Sequence, residues 1–220
     1  MSAAQHKTEQ SKPMLFDVRN IECRIQDVSI FGEINMNVGA GQSLLLLGPS
    51  GCGKTSLMNV MAGLLEANSG DIIFDGQSYA SLSGGGRDKM RSNNFGFVFQ
   101  KLHLIGHLSV AQNIALSQTK PDPARVQGLI AELGLSGKEK QKSRDLSVGE
   151  AQRVAIARAV ANNPLVIFAD EPTSALDDIN TDKVIDLLFD QAQKTGASVI
   201  AATHDARIKN RFDTIVEMVS

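Results

Sequence analysis

Leu44–Ser56 reads LLLLGPSGCGKTS. Four consecutive leucines have the uniform apolar character of a strand covered on both faces. Beyond them Leu57, Val60, Met61, Leu64 and Leu65 recur at helical spacing and predict one apolar stripe. Between strand and helix, Gly48–Thr55 satisfies G-x-x-x-x-G-K-[ST] in its required strand–loop–helix setting. Small residues at Gly48, Gly51 and Gly53 let successive backbone N–H groups turn inward around an anion. The helix start adds its positive end, and Lys54 adds a mobile full charge. The Thr55 hydroxyl suits Mg²⁺, which prefers oxygen donors. Gly48, Pro49, Ser50, Gly51, Cys52, Gly53, Lys54, Thr55 and Ser56 are thus the expected seat of a nucleoside triphosphate. Cys52 lies near Lys54 and a helix N-terminus, both of which favour thiolate. Alkylation there is expected to block nucleotide binding, and bound nucleotide to protect the thiol.

The chain of 220 residues allows one well-packed domain. Its 22 basic and 24 acidic residues leave a net charge of −2, against general nucleic-acid binding. No run approaches the roughly 18 apolar residues that cross a bilayer. The start, MSAAQHKTEQSKP, lacks the apolar centre of a secretion signal and reads as a flexible tail over 1–13. Cys23 and Cys52 have no metal-ligand spacing and suit a reducing cytosol.

Residues 14–38 alternate apolar and polar types in pieces, as half-exposed antiparallel strands do. Asp71–Phe74 reads as a strand entering a tight turn at Asp75-Gly76. Ser109–Leu116 and Ala124–Leu133 are amphipathic, with breaks at Pro121, Pro123 and Gly134. Leu165–Ala169 and Ser198–Ala202 are further apolar strands, with helical patterns over Ala151–Ala161 and Thr181–Gln193. Such alternation predicts an α/β fold with a mostly parallel sheet. Residues 83–86, SGGG, read as a flexible connection. His103 and His107 have the spacing of a helical metal pair, but Gly106 intervenes, no third ligand is near in sequence, and packing or partner contact is the better reading. The basic run at 138–144 reads as solvated surface.

Asp170 and Glu171 close the strand in LVIFADEPTSALD, 165–177, at the edge where ligands of open parallel sheets bind. Adjacent residues point different ways, so Asp170 is assigned to Mg²⁺ and Glu171 to the proton of an attacking water. His204 follows the next apolar strand and suits a hydrogen bond to a terminal phosphate. Ser147 with Glu150 three residues on forms a capping box, so Ser147 and Gly149 present a second anion site at a helix start.

Gln100 after FGFVFQ, the stretch LSVGEAQRVAIARA at 146–159 and SALD at 174–177 complete a series. With the phosphate loop, Asp170-Glu171 and His204, its order resembles the ATP-binding subunits of ABC transporters over about residues 15–218. The resemblance implies a phosphate-loop (RecA-like) ABC ATPase core with a small antiparallel β subdomain and a helical subdomain near 101–160, in one domain over 14–220. It implies an Mg²⁺-dependent ATPase forming a homodimer or heterodimer. Each ATP would lie between one subunit's loop and the other's Ser147, Gly149 and Glu150, with Asp177 at the junction. Catalysis would involve Glu171, His204, Gln100 and Lys54, with Thr55, Gln100 and Asp170 as the metal set. It further implies an integral membrane partner on the cytoplasmic side of the bacterial inner membrane. The segment 101–116 looks like the lobe that receives that partner, although its apolar residues equally serve as core.

Two departures stand out. Val148 occupies a position where the family has glycine, and no aromatic residue for stacking adenine stands near Arg24–Ile25. Arg24 offers a guanidinium face instead, so weak discrimination between ATP and GTP is expected. FGFVFQ, the short helical lobe and the end at Ser220 look like the lipoprotein-releasing or macrolide-efflux exporter type. A cell-division regulator working through a membrane partner, or a soluble non-transport ABC ATPase, is the alternative.

Overall fold

The computed structural model describes residues 13–174 and 176–219; the tail expected over 1–13 lies almost wholly outside them. Two sheets share one aromatic seam. The first is antiparallel, with β1 (Met14–Ile25), β2 (Val28–Gly39), β4 (Ser69–Phe74) and β5 (Gln77–Ser78) in the order β2-β1-β4-β5. The second is parallel and contains β3 (Ser43–Leu47), β6 (Phe95–Val98), β7 (Val166–Asp170), β8 (Ser198–Thr203) and β9 (Thr214–Glu217), ordered β6-β7-β8-β3-β9.

The leucine run at 44–47 is an interior strand for a simple reason. Leu44 and Leu46 enter the core that holds β1, β4 and the helix α1 (Lys54–Met61), while Leu45 enters the core on the opposite face. Phe168 and Ile200 join the first core; Ile167, Ala169, Val199 and Ala201 join the second. Period-two alternation thus persists, but both faces are covered and both must be apolar. Phe16 and Phe74 of the antiparallel sheet meet at 4.9 Å between ring centroids. Phe74 meets Phe95 at 4.8 Å, and Phe95 meets Phe168 at 5.2 Å, both edge-on. These contacts lock one sheet over the other in the geometry aromatic pairs prefer.

The second core is roofed by α3 (Val110–Ala115), α4 (Pro123–Glu132), α5 (Val148–Val160) and α6 (Asp178–Thr195). Several expectations are corrected. The SGGG stretch is not a linker: Ser83 accepts a hydrogen bond from Gly86 N–H and caps α2 (Gly84–Asn94). A strong cap and the buried Met90 outweigh the poor helix propensity of three glycines. The apolar stripe after the phosphate loop is cut short, since α1 ends at Met61 and Leu64 is exposed. The boundary expected at Pro123 is kept: it opens α4, since a residue lacking an N–H fits the first helical position. The packing expected at His103 is present, its ring meeting Phe99 edge-on at 5.4 Å, although neither it nor His107 lies in a helix. The 138–144 run is only partly solvated: Lys138 pairs with Glu150 at 2.6 Å, and the buried Ser143 hydroxyl accepts from Asn113.

Candidate functional site

The loop between β3 and α1 is shaped by three separate demands on its glycines. Gly51 and Gly53 have φ of 87° and 93°, the left-handed region that side-chain-bearing residues avoid. Gly48 has no such torsion, but a Cβ there would lie 2.3 Å from the Met218 carbonyl oxygen and 2.8 Å from Cys52 Sγ. Cys52 is accordingly wedged inside the loop at 4% exposure. The readily alkylated thiol expected from its neighbours is corrected: burial removes it from solvent, and packing against Gly48 is what the side chain does.

Lys54 opens α1 and is 6% exposed. Its ammonium donates to the carbonyls of Gly48 and Pro49, each at 2.9 Å, and stands 3.9 Å from Glu171 Oε1. Pro49, Ser50, Gly51 and Thr55 face solvent, and Ser56 is half-buried. Thr55 Oγ1 donates to Asp170 Oδ1 at 3.0 Å, joining the first turn of α1 to the end of β7. Burial pushes the Asp170 carboxyl above the usual aspartate range, opposed by the Thr55 hydrogen bond. A carboxylate and a hydroxyl held together, one of them short of solvent, form a hard oxygen donor pair. That chemistry fits a divalent cation taking its other ligands from phosphate and water.

Glu171 leaves β7 with φ of 46° and so turns away from its neighbour Asp170. Its backbone N–H donates to Ala202 O at 2.7 Å, holding it against β8. Oε2 accepts from Thr203 Oγ1 at 2.8 Å, and His204 Nδ1 lies 3.0 Å from the same carboxylate. His204 remains 55% exposed, with Nδ1 committed and the other ring nitrogen left for a ligand. Gly48 N–H donates to Thr203 O at 3.3 Å, so the phosphate loop and the β8 end are tied directly. Lys54, Thr55, Asp170, Glu171 and His204 therefore meet at one carboxyl edge of the sheet.

The remaining expected residues make no hydrogen bond to this cluster among the described residues. Gln100 is exposed, two residues beyond β6; the register Val98↔Ala169 brings it out of the sheet beside the strand of Asp170. Ser147 caps α5 in a reciprocal box: its N–H donates to Glu150 Oε2 at 2.9 Å, and its Oγ accepts from Glu150 N–H at 3.4 Å. Lys138, followed by the Ser147 N–H, pulls the Glu150 carboxyl down to about 2. Gly149 is exposed, as is Val148 at 73%. Among the described residues, none of the hydrogen bonds found connects 147–150 with 48–56. Asp177 caps α6, its Oδ1 accepting from Asn180 N–H at 2.8 Å.

Sequence reasoning missed Thr203, Thr173, Asp205 and Arg207. Thr173 Oγ1 donates to Asp205 Oδ2 at 3.0 Å, and Asp205 N–H donates to Thr203 Oγ1 at 3.1 Å. Arg207 forks onto Asp205 through Nε at 2.8 Å and Nη2 at 2.7 Å. Chiefly through that contact, Arg207 holds the Asp205 carboxyl at about 2. The available signal was a polar Thr203 closing an apolar strand, which only the position of Glu171 makes meaningful.

A glycine-shaped anion loop, a lysine at its helix start and an acid pair across the sheet edge define a phosphate-loop nucleotide-binding protein of the α/β class. The ABC transporter family model matches residues 31–174, and the chain belongs to that family as an ATP-binding protein. It is 38% identical over 198 residues to the lipoprotein-releasing system ATP-binding protein LolD of Syntrophotalea carbinolica, covering 87% of each chain. It is 36% identical over 199 residues to the probable syringafactin export ATP-binding/permease protein SyfD of Pseudomonas syringae pv. syringae, covering 88% of this chain but 30% of that protein. In structure it resembles the dimeric ATP-binding cassette MJ0796 bound to ADP and Pi, with a TM-score of 0.81 and 28% identity over 93% of this chain and 94% of that one. It also resembles cbiO1 from Clostridium perfringens, part of the ABC transporter complex cbiONQ, with a TM-score of 0.86 and 28% identity over 94% and 85%. The antiparallel subdomain and parallel core expected from sequence are those of the ABC ATPase fold. Among the described residues no helix is long and apolar enough to cross a membrane.

Proposed function

We propose that this ATP-binding protein hydrolyses ATP and drives an export or mechanotransmission complex of the lipoprotein-releasing or macrolide-efflux type. It would work as a dimer docked on the cytoplasmic side of an integral membrane partner. The observation that carries this reading is the Glu171 carboxylate, fixed by Thr203 and facing both Lys54 and His204.

The loop amides and Lys54 bind and orient the phosphates. Lys54 exchanges the carbonyls of Gly48 and Pro49 for phosphate oxygens, a short movement for a flexible stem. Thr55 and Asp170, with Gln100 from the end of β6, would hold Mg²⁺, which when bound offsets charge on the phosphates. Glu171 takes the proton as the water oxygen bonds to the γ-phosphorus and the bond to the bridging oxygen breaks. His204, its Nδ1–H directed to the Glu171 carboxylate, would donate to the terminal phosphate through Nε2 in the imidazolium form, the form in which both ring nitrogens carry hydrogen. Ser147, Gly149 and Glu150 would meet the neighbouring subunit's ATP, with Asp177 at the junction; the dimeric relatives support that arrangement.

The base is held differently from the phosphates. Ile25 and Val28, 44% and 63% exposed at the β1–β2 turn, offer only aliphatic surface, and Arg24 a guanidinium face. Apolar surface discriminates weakly between polar groups, so GTP should compete within about tenfold of ATP. A preference far larger than that, read by competition against a fluorescent nucleotide, contradicts this assignment of the base contacts.

Glu171→Gln tests the central claim. Nucleotide binding should persist while phosphate release falls by about a hundredfold or more, the size of a general-base contribution. The variant should elute as a dimer only with Mg-ATP. Monomeric elution with ATP, or undiminished turnover, overturns the proposal.

A further inference from the structure

Arg207 sits in the short 3-10 turn after His204, and its guanidinium reaches three residues in two parts of the chain. Nε and Nη2 grip the two Asp205 oxygens at 2.8 Å and 2.7 Å. Nη1 donates to Asp178, the first residue of α6, and Nη2 reaches the Leu176 carbonyl at 3.5 Å. The last two contacts fall on the segment that carries Asp177.

The same segment is held at its base from two other sides. Thr173, 1% exposed, donates to Asp205 Oδ2. Gln152 of α5, the helix that Ser147 caps, donates through Nε2 to Pro172 O at 2.6 Å. Asp205 in turn donates its N–H to Thr203 Oγ1, whose hydroxyl hydrogen goes to Glu171. Gln152 thus holds Pro172, while Thr173, Leu176 and Asp178 are joined through Asp205 and Arg207 to the carboxylate proposed to receive the proton.

We propose that Arg207 is a positioning residue that latches the start of α6, Leu176 to Asp178, to the His204 turn, so that proton transfer at Glu171 depends on where that stretch sits. The inference rests on the proposed hydrolysis. The two arms of the latch are unequal. Asp205 is 11% exposed and accepts a two-point fork, the strong geometry for guanidinium and carboxylate. Asp178 is 85% exposed and Arg207 itself 45%, so that arm is screened and adds little to stability. A contact so weak energetically, at the entrance to α6, is suited to breaking and reforming as the segment moves. Its loss should register in turnover far more than in folding.

The experiment compares wild type, Arg207→Ala, Arg207→Lys and Asp178→Asn, measuring fluorescent-nucleotide binding, steady-state phosphate release and melting temperature. Arg207→Ala should lower kcat about five- to tenfold with KM within about twofold, the pattern of an interaction used after binding. Arg207→Lys should recover only part of this, because a point charge cannot fork onto Asp205 while reaching Asp178. Asp178→Asn should lower kcat about threefold, and combining it with Arg207→Ala should add nothing, as expected for partners in one contact. A fall in melting temperature with unchanged kcat in Arg207→Ala makes the residue purely structural and overturns the latch, as does full additivity of the two changes. Failure of wild type to hold any nucleotide overturns the proposed hydrolysis itself, whereas normal turnover in all variants removes the latch alone.

Discussion

At Gly48 the demand is for space, at Gly51 for torsion, and at Gly53 for both. An added Cβ at Gly51 meets nothing within 4 Å, so alanine there bears only the cost of φ near 87°, about 1 kcal/mol. At Gly48 the same methyl collides with the Met218 backbone, which cannot rotate away, and overpacking of that kind costs about 1–3 kcal/mol. Gly48→Ala should therefore melt several degrees below Gly51→Ala in calorimetry; the reverse order removes the distinction. The motif was legible in the chain, but this division of labour was not, because Met218 lies 170 positions away. Asp205 offers a second residue-level test. Its carboxyl is depressed to about 2 from 3.8. A depressed acid contributes stability above its unfolded value and loses it as pH falls towards the folded one. The stability gap between wild type and Asp205→Asn should be complete near neutral pH, about 1 kcal/mol after solvent screening of Arg207, and should close between pH 3.8 and about 2 in acid titrations by circular dichroism. A gap that stays open in that window disconnects Asp205 from the fork.

Among the elements, α3 is the least self-sufficient. Six residues cannot form a stable helix in isolation, so its surroundings must hold it. Ser109 and Gln112 supply a full capping box, and Val110 and Ile114 are buried. The decisive group is Asn113, completely buried, whose Oδ1 accepts from Ile105 N–H at 2.8 Å. Its amide donates to Ser143 Oγ at 2.6 Å and reaches the carbonyls of Ile105 and Ser109. Asn113→Ala strands these groups away from water and should cost about 2–4 kcal/mol, a shift visible in the urea midpoint. A midpoint within experimental scatter of wild type would show that the loop repacks without it. Arg158 does the matching work for 102–103, donating to the carbonyls of Leu102 and His103. These two side chains explain why the His103–His107 segment stays irregular although its spacing reads as helical. Regular elements were legible because period and capping are local; this segment was not, because the donors that satisfy its backbone lie as many as 56 positions away.

For the whole molecule, the site is where independent pieces converge. The loop leaves β3, the two acids leave β7, the histidine leaves β8, and Gly53 packs beneath Ile30 and Phe31 of the antiparallel sheet. Sequence order could name these pieces because each motif marks a strand's carboxyl end, where parallel sheets gather their ligands. It could not supply the Thr203–Asp205–Arg207 chain that fastens them, since Thr and Asp after a strand are ordinary turn residues until Glu171 is seen beside them. A ligand bound at such a convergence bridges both sheets, and it is held only when all the pieces are in place. By mass action, nucleotide at a hundred times its dissociation constant stabilises the folded chain by about 2.7 kcal/mol. For a chain of this size that corresponds to a rise of roughly 5–10 °C in melting temperature. The measurement is best made on Glu171→Gln, which should not consume the ligand, with Lys54→Ala as its counterpart. Lys54 is buried, and its ammonium is the one full positive charge inside the loop, so its removal should abolish most of the rise at the same nucleotide concentration. An equal rise in both variants would mean that nucleotide settles somewhere other than the edge at which β3, β7 and β8 end.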